Sequence, residues 1–449
     1  MKQITTSARQ QGMNKMQFLA QWLLLILATG NICEVTPLTP RGRVAGIVGL
    51  SPGKEPGPSP LPPALADRAF TAVWNVRNSH RCLTKFGVDI DLGSNGILTN
   101  SPTGNDVMVY FGHEDLGLFP YIQRGHFVNG GLPQLVNGTA HLEKVAVDIR
   151  TAIPDANYSG LAVIDWEFWS PVWNKNIGVP GSELYNAESM ALVRRRHPTW
   201  DQGTVEATAK TEFEEAARSL YEGTVLLAHQ LRPKALFGFY HFPYCNNHAD
   251  ARYCNQTSVL SNDQMSWLTD ASPSLYSSIY MKEEDTRTDT AVYIDTILQE
   301  AVRVRQNSKD PNKPMYSYVA LNYSHTGLFL NLEDMNNSIL LPAEQGLAGV
   351  VFWGDNNDTS NRAACLGLQK DVKLALGPLV LKTTQAAARC SASLCSGNGR
   401  CVGKILECIS GAPSGVTPGR ISKFGAKKSS ACRCQCYNGW SGTNCSIGA

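Results

Sequence analysis

Charge is scarce in this chain, and neither sign dominates. Of 449 residues 17% are charged and the formal net charge is +2, so no global field draws it to nucleic acid; a polyanion would need a local basic patch. Long apolar runs are scarce too. After an early stretch, Phe18 to Ala28, no segment reaches the roughly 18–20 apolar residues of a membrane span, so no stable span is expected. The chain shows no hydrophobic C-terminal tail of the kind that signals a lipid anchor. No glycine-rich phosphate loop follows any strand-like run, which argues against a nucleotide site. No histidine lies among the cysteines that crowd the C-terminal region, which argues against zinc ligation there.

What is present describes an exported globular protein. A hydrophobic content of 43% supports a sizeable core. Thirteen cysteines fit an oxidising compartment. Acceptor patterns for N-glycosylation at Asn137, Asn157, Asn255, Asn322, Asn336, Asn357 and Asn444 agree with it. Lys2, Arg9 and Lys15 ahead of Phe18–Ala28 read as a secretory signal over residues 1–33, with an uncleaved anchor as the alternative. Residues 34–66, which contain the proline-rich stretch Ser51 to Pro63, read as a linker or propeptide. A secreted, extracellular location is expected.

From Phe70 onward β-rich runs alternate with helical patterns. The runs are Phe70–Val76, Val107–Phe111, Leu161–Glu167, Ala235–Phe242, Ser277–Met281, Met315–Leu321 and Gly349–Trp353. Amphipathic helices are expected at His141–Ile153, at Thr204–Gln230 with Phe213, Ala216, Ala217 and Leu220 on one face, and at Thr288–Gln306. Such a series of β-then-α units predicts an α/β fold of the (β/α) barrel type over residues 67–385, with a doubly wound open sheet as the competing layout. From about residue 386 the composition changes. Cys390, Cys395, Cys401, Cys434, Cys436 and Cys445 follow the spacing of an epidermal-growth-factor-like module, and the long insert carries Cys408 and Cys432.

Within Ala162-Val163-Ile164-Asp165-Trp166-Glu167-Phe168, a run of β-formers ends in two carboxylates spaced i, i+2. On a strand both point to one face, with Cβ atoms roughly 6–7 Å apart. Acids that close cannot both ionise freely, and one is kept protonated toward neutral pH, as general acid catalysis requires. An isolated Asp-x-Glu is more often a solvated strand end. The aromatic surroundings, Trp166, Phe168, Trp169 and Trp173, and the position at the end of a barrel strand favour the catalytic reading.

The chain resembles the animal hyaluronidases, a group of glycoside hydrolases, over roughly Phe70 to Cys445. The resemblance rests on ordered motifs: Phe70-Thr71-Ala72-Val73-Trp74-Asn75, Phe86-Gly87-Val88-Asp89, Gly130-Gly131-Leu132-Pro133-Gln134 and Gly160-Leu161-Ala162-Val163-Ile164-Asp165-Trp166-Glu167. Further on come Leu231-Arg232-Pro233, Gly238-Phe239-Tyr240, Ser278-Ile279-Tyr280-Met281 and Gly349-Val350-Val351-Phe352-Trp353-Gly354. It implies a distorted (β/α) TIM-like barrel with a small C-terminal disulfide-rich, EGF-like module at residues 386–449. It also implies endo-hydrolysis of hyaluronan, with chondroitin as a second candidate polymer, by a monomer that needs neither cofactor nor metal. Glu167 would be the acid and base, Asp165 would orient the substrate's acetamido group, which itself acts as nucleophile, and Tyr240 would bond the acetamido carbonyl. Tyr276 and Trp353 would line the sugar groove. A chitinase-like enzyme is the more distant relative, because Ala162, Val163 and Ile164 stand where its longer acidic strand motif would be.

The same resemblance implies the disulfides Cys82–Cys365, Cys245–Cys254, Cys390–Cys401, Cys395–Cys434, Cys436–Cys445 and Cys408–Cys432, leaving Cys33 over. The chain departs from the family pattern at Ser170, Tyr244 and Ile297. Arginines are expected at the first and last of these and an acid at the second, so charge-assisted contacts to a uronate polymer are lost. Arg194-Arg195-Arg196 could compensate, or could simply be a solvated helix end. A barrel that binds glycosaminoglycan or a cell-surface partner with little turnover is the competing functional class.

Overall fold

The computed structural model describes residues 65–100, 107–245, 252–282, 290–324, 326–410 and 432–448. The signal stretch, most of the linker and Cys33 lie outside the described residues, and Pro63–Ala449 is one compact unit. Its centre is a ring of parallel strands: β1 (Thr71–Val76), β2 (Ile97–Leu98), β3 (Met108–Phe111), β4 (Leu161–Ile164), β5 (Leu236–Phe239), β6 (Leu275–Ser278), β7 (Met315–Ala320) and β8 (Gly349–Gly354). One sheet runs β2-β1-β8-β7-β6 and a second runs β3-β4-β5. Two seams join them. Beyond β5, Tyr240 bridges to Tyr276, and Ser274 N–H donates to Phe237 O at 3.0 Å. Between β2 and β3 the Asn100 side chain replaces a strand ladder, donating to Met108 O at 2.8 Å and accepting from Val107 and Met108 N–H at 3.1 and 3.0 Å. The barrel is distorted there because β2 is only 2 residues long.

Strand alternation decides what fills the ring. Val73, Met108, Val163, Leu236, Tyr276, Tyr316 and Val351 point inward and pack on one another. Their neighbours Ala72, Trp74, Phe111, Ala162, Phe237 and Phe352 point outward, beneath the helices. The covering helices are α1 (Gly138–Ala152), α2 (Glu183–Arg196), α3 (Gln202–Leu231), α4 (Thr290–Gln306), α5 (Leu332–Glu344), α6 (Arg362–Asp371) and α7 (Gly377–Leu394). Side-chain caps start several of them: Asn137, Asp201, Asn331 and Asn361 each accept from a backbone N–H three residues on. Along α3, Val205, Ala209, Phe213, Ala217, Leu220, Thr224 and Ala228 are buried at three- and four-residue steps. Burying a ring such as Phe213 stabilises by about 2–3 kcal/mol.

Three strands differ from the sequence reading. The run expected at Leu161–Glu167 ends as β4 at Ile164, so both acids lie on extended chain beyond the ladder. The last pairings are Asp165 N–H to Phe111 O at 2.8 Å and Tyr240 N–H to Ile164 O at 2.9 Å. The run expected at Ala235–Phe242 stops at Phe239, because His241 takes a left-handed φ of 65°. The run expected at Ser277–Met281 begins and ends earlier, as Leu275–Ser278, pulled into register by the Ser274 bond to Phe237.

Among the described residues six disulfides are present, in the pairing that the resemblance implies. Cys82–Cys365 spans a sequence separation of 283 and ties the first βα segment to α6. In the cysteine-rich segment, β9 (Gly399–Gly403) pairs antiparallel with β10 (Cys432–Cys436), with Cys401 opposite Cys434. The boundary drawn at 385/386 falls inside α7, which carries Cys390 and packs along β9. Buried Arg400 donates to Ala66 O, and buried Arg305 donates to Gln435 Oε1 at 2.9 Å and to Gly346 O at 3.4 Å. Ala66 and Gly346 precede β1 and β8, so this segment covers the N-terminal mouth of the barrel. Of the glycosylation acceptors, Asn137, Asn157, Asn255, Asn357 and Asn444 are exposed. Asn336 is half-buried within α5, and Asn322 is half-buried with its amide donating to Asp358 at 2.6 Å.

Gly238 is where the interior is tightest. A Cβ there would sit 2.2 Å from Ser274 O and 2.9 Å from the Tyr276 ring, backbone and core that cannot yield. Gly238→Ala should therefore destabilise by roughly 3 kcal/mol or more, read as a lowered denaturant midpoint with an unchanged slope. Gly367→Ala, whose added Cβ would meet only the Phe329 ring at 3.6 Å, should leave the midpoint nearly in place.

Candidate active site

At the C-terminal ends of the strands the inward positions turn from aliphatic to polar and aromatic. Asn75 follows Val73 on β1, Tyr110 follows Met108 on β3, and Asp165 continues Leu161 and Val163 beyond β4. Tyr240 stands in line with Leu236 and Gly238, Ser278 follows Tyr276, and Trp353 follows Val351. Alternation alone thus gathers these side chains at one mouth of the barrel.

The segment carrying the acids is fixed from behind. Trp166 and Trp169 are buried, and Phe119 stacks between them at 4.7 and 5.1 Å. Trp169 Nε1 donates to Pro120 O at 2.8 Å, and the Tyr221 hydroxyl of α3 donates to Trp166 O at 3.3 Å. With the two tryptophans facing the core, Asp165 and Glu167 face the mouth. The aromatic cluster noted in the sequence is therefore support for the acids, and of its members Phe168 packs against His113 and Tyr121.

The two carboxyls have unlike surroundings. Asp165 is half-buried and accepts a short hydrogen bond from the Tyr110 hydroxyl at Oδ2. Its Oδ1 is buried and has no hydrogen-bond donor of full geometry. Burial raises its pKa, while Tyr110, Glu167, His113 and Arg77 each act to lower it. Glu167 is open to the mouth, yet enough protein surrounds its carboxyl for desolvation, and then the charge and hydrogen bond of Asp165, to push its pKa up to about 7. Asp165 ionises first and Glu167 keeps the proton.

Around this pair stand Tyr240 and Trp353. The Tyr240 hydroxyl reaches Ser278 Oγ at 3.4 Å and bonds to the Tyr280 side chain; its pKa is raised by burial and then by Glu167. The half-buried Trp353 ring lies 5.8 Å from Tyr110, with the Arg77 guanidinium 5.9 Å above it. Tyr276 is different. It was expected in the groove, but it is fully buried inside the barrel, stacked on Tyr316 at 5.8 Å, with its hydroxyl donating to Leu236 O. Gly238 leaves the space its ring fills, and Tyr276 lies one inward step too deep to meet a polymer. Tyr280, one such step beyond Ser278, is the tyrosine at the mouth.

Sequence reasoning missed Tyr110, Tyr280, His113, Arg77 and Lys175. Tyr110 was findable, since it is the last inward position of β3, paired with Val163 one inward step before Asp165. Ser170, Tyr244 and Ile297, the sites of departure, prove unlike one another. Ile297 is buried in the core on α4. The nearby Glu300 is held by Arg303 at 2.8 and 2.9 Å and accepts from Asn262 at 2.7 Å. Asn262 in turn clamps the Tyr244 backbone, accepting from its N–H at 3.0 Å and donating to its carbonyl at 2.8 Å. Ser170 bonds the Tyr244 hydroxyl. Arg194 donates to Trp200 O and to Gln202, and Arg196 pairs with Glu212, so these arginines serve the turn between α2 and α3.

Comparison with known proteins gives this mouth a family. Residues 59–410 match the family model described as hyaluronidase. Hyaluronidase-1 of Homo sapiens is 37% identical over 409 residues, covering 85% of this chain and 93% of the relative. Hyaluronidase-3 of Rattus norvegicus is 35% identical over 395 residues, covering 84% of this chain and 92% of the relative. Among solved structures, bee venom hyaluronidase in complex with a hyaluronic acid tetramer superposes with a TM-score of 0.64 at 29% identity, covering 70% of this chain and 99% of that one. With Asp165 and Glu167 just beyond the end of a barrel strand, at a tyrosine-lined mouth, and with this match over most of its length, the chain belongs to the hyaluronidase family of glycoside hydrolases.

Proposed function

We propose that this chain is a secreted endo-hydrolase that cleaves the N-acetylhexosaminide bonds of hyaluronan, with retention of anomeric configuration. The observation that carries the reading is the asymmetry of the acid pair. One carboxyl is pinned by Tyr110, whose hydrogen bond favours its anion, and the other is exposed to the groove and keeps its proton up to a pKa of about 7. Carboxyls near enough to share a proton cannot flank a sugar ring as the two acids of an ordinary retaining glycosidase do. They suit a reaction whose nucleophile is the substrate's own acetamide. The acetamido oxygen forms a bond to the anomeric carbon as the glycosidic C–O bond breaks, and the departing oxygen takes the Glu167 proton. Asp165 accepts the acetamide N–H and stabilises the positive cyclic intermediate. Water then attacks the anomeric carbon, gives its proton to Glu167, and the acetamide is restored. Tyr240 donates to the acetamido oxygen, and Trp353 offers its face to a pyranose ring. The disulfide set supports an extracellular site of action.

Glu167→Gln should slow the shortening of hyaluronan by about 10²–10⁴-fold, measured by size analysis of the polymer. Full depolymerisation by that variant would remove Glu167 from the acid role, and tight binding by the native chain without shortening would favour a binding protein. Tyr240→Phe should lower kcat by roughly tenfold or more, whereas Tyr276→Phe should cost about 1 kcal/mol of stability with kcat/KM unmoved.

Two pH effects follow from the raised acid. Chain shortening should decline as pH rises through about 7, where Glu167 loses its proton. Folding holds this carboxyl above its ordinary 4.5, so the folded state favours the protonated form. Glu167 therefore costs no stability below pH 4.5 and progressively more as pH climbs to about 7. Thermal melts should show Glu167→Gln raising Tm at pH 8, with the gain disappearing near pH 4; an equal gain at both would assign the effect to packing.

A further inference from the structure

We propose that Lys175 is the cation that receives a uronate carboxylate in this chain, at a subsite built with the ring of Tyr244. The proposal rests on the reading of the mouth as a glycosaminoglycan site. Lys175 closes the short turn Trp173–Lys175 on the loop that leaves the acid pair. That turn is firmly placed: Trp173 N–H donates to Glu214 at 3.0 Å, and buried Asn176 exchanges hydrogen bonds with the Ser170 backbone at 2.7 and 3.0 Å. The ammonium stands 5.0 Å from the centre of the Tyr244 ring. It is half-buried, and among the described residues no carboxylate pairs with it. Arg303 shows the contrast, because Glu300 and Asp263 both occupy its guanidinium.

Tyr244 connects this cation to the chemistry. Its hydroxyl bonds Ser170, its ring meets His241 edge-on at 5.3 Å, and the charge of Glu167 is felt at its hydroxyl. The charge of Lys175 is felt at His241, the residue after Tyr240. Tyr244 thus links Lys175 to the acid pair, on the flank where Ser170 brings no charge. A partly desolvated ammonium against a ring, with no carboxylate partner among the described residues, is costly, and an incoming carboxylate offsets that cost. In a polymer alternating N-acetylhexosamine with uronate, a hexosamine held at Asp165 places a uronate on either side of it.

The test is the KM and kcat of full-chain Lys175→Gln and Lys175→Arg on hyaluronan and on hyaluronan whose carboxyls have been reduced to alcohols. Hyaluronan carries no sulfate, so the effect reads the carboxylate alone. Lys175→Gln should raise KM on hyaluronan by about tenfold with kcat within about twofold, and Lys175→Arg should recover most of the loss. On the reduced polymer, Lys175→Gln and the native chain should have equal KM. An unchanged KM on hyaluronan, or an equal loss on both polymers, overturns the assignment. Equilibrium binding of a hyaluronan octasaccharide, with the native chain against Lys175→Gln, reads the subsite even where no cleavage occurs. A cation effect there without cleavage would sink the hydrolase reading while keeping the subsite, and equal binding would sink the subsite.

Discussion

The site depends on the burial of Trp166 and Trp169. These two side chains, with Phe119 between them and Tyr221 bonded to the Trp166 carbonyl, hold the backbone on both sides of Glu167 after the strand ladder has ended. Beyond Ile164 the chain has no further parallel partner, so regular pairing cannot set the direction of the acids. The tryptophans do it instead. Extended chain puts neighbours on opposite faces, and with Trp166 committed to the core, Asp165 and Glu167 must face the mouth. A catalytic acid placed to within a fraction of an ångström needs support of this kind, since small misplacements cost large factors in rate.

The same geometry separates the two protonation states. Burial acts on both acids, so the difference between them comes from what else each one touches. Asp165 has the Tyr110 hydroxyl as donor and feels His113 and Arg77, all of which favour its anion. Glu167 has Asp165 itself, whose charge works against a second anion. The proton therefore goes to the exposed partner. The arrangement lowers folding stability at neutral pH, and the barrel tolerates it because the ends of the ring do different work. The cysteine-rich segment covers the N-terminal mouth through buried Arg305 and Arg400, leaving the C-terminal mouth free to hold unfavourable charge.

The fold was legible because its signals are periodic. Alternating runs, helical faces such as that of α3, and ordered motifs placed the barrel and most strands to within a few residues. The acid pair was legible through its spacing. What sequence could not supply was depth along the barrel axis. Tyr276 and Tyr280 share a strand parity and differ by four residues, and choosing between them requires knowing that β6 ends at Ser278 and that Gly238 opens an interior space for Tyr276. β2 escaped notice because a pair of residues joined by one Asn100 side chain has no pattern to detect. Lys175 escaped because it reaches Tyr244 across two loops that are far apart in the sequence.

Ser170, Tyr244 and Ile297 look like three losses when compared one by one with relatives. In space they are not equivalent. Ile297 is core, and the Glu300–Arg303–Asn262 network beside it is spent on holding the Tyr244 backbone. Tyr244 replaces an acid with a ring, and Lys175 lies against that ring. With Lys175 on that ring, a mouth that has serine at position 170 keeps a positive partner for a uronate. It gives up the planar, two-pronged guanidinium fork for a compact ammonium that accepts a carboxylate from a wider range of directions. Selectivity among acidic polymers would then rest less on the carboxylate itself and more on how Tyr240, Tyr280 and Trp353 fit the hexosamine.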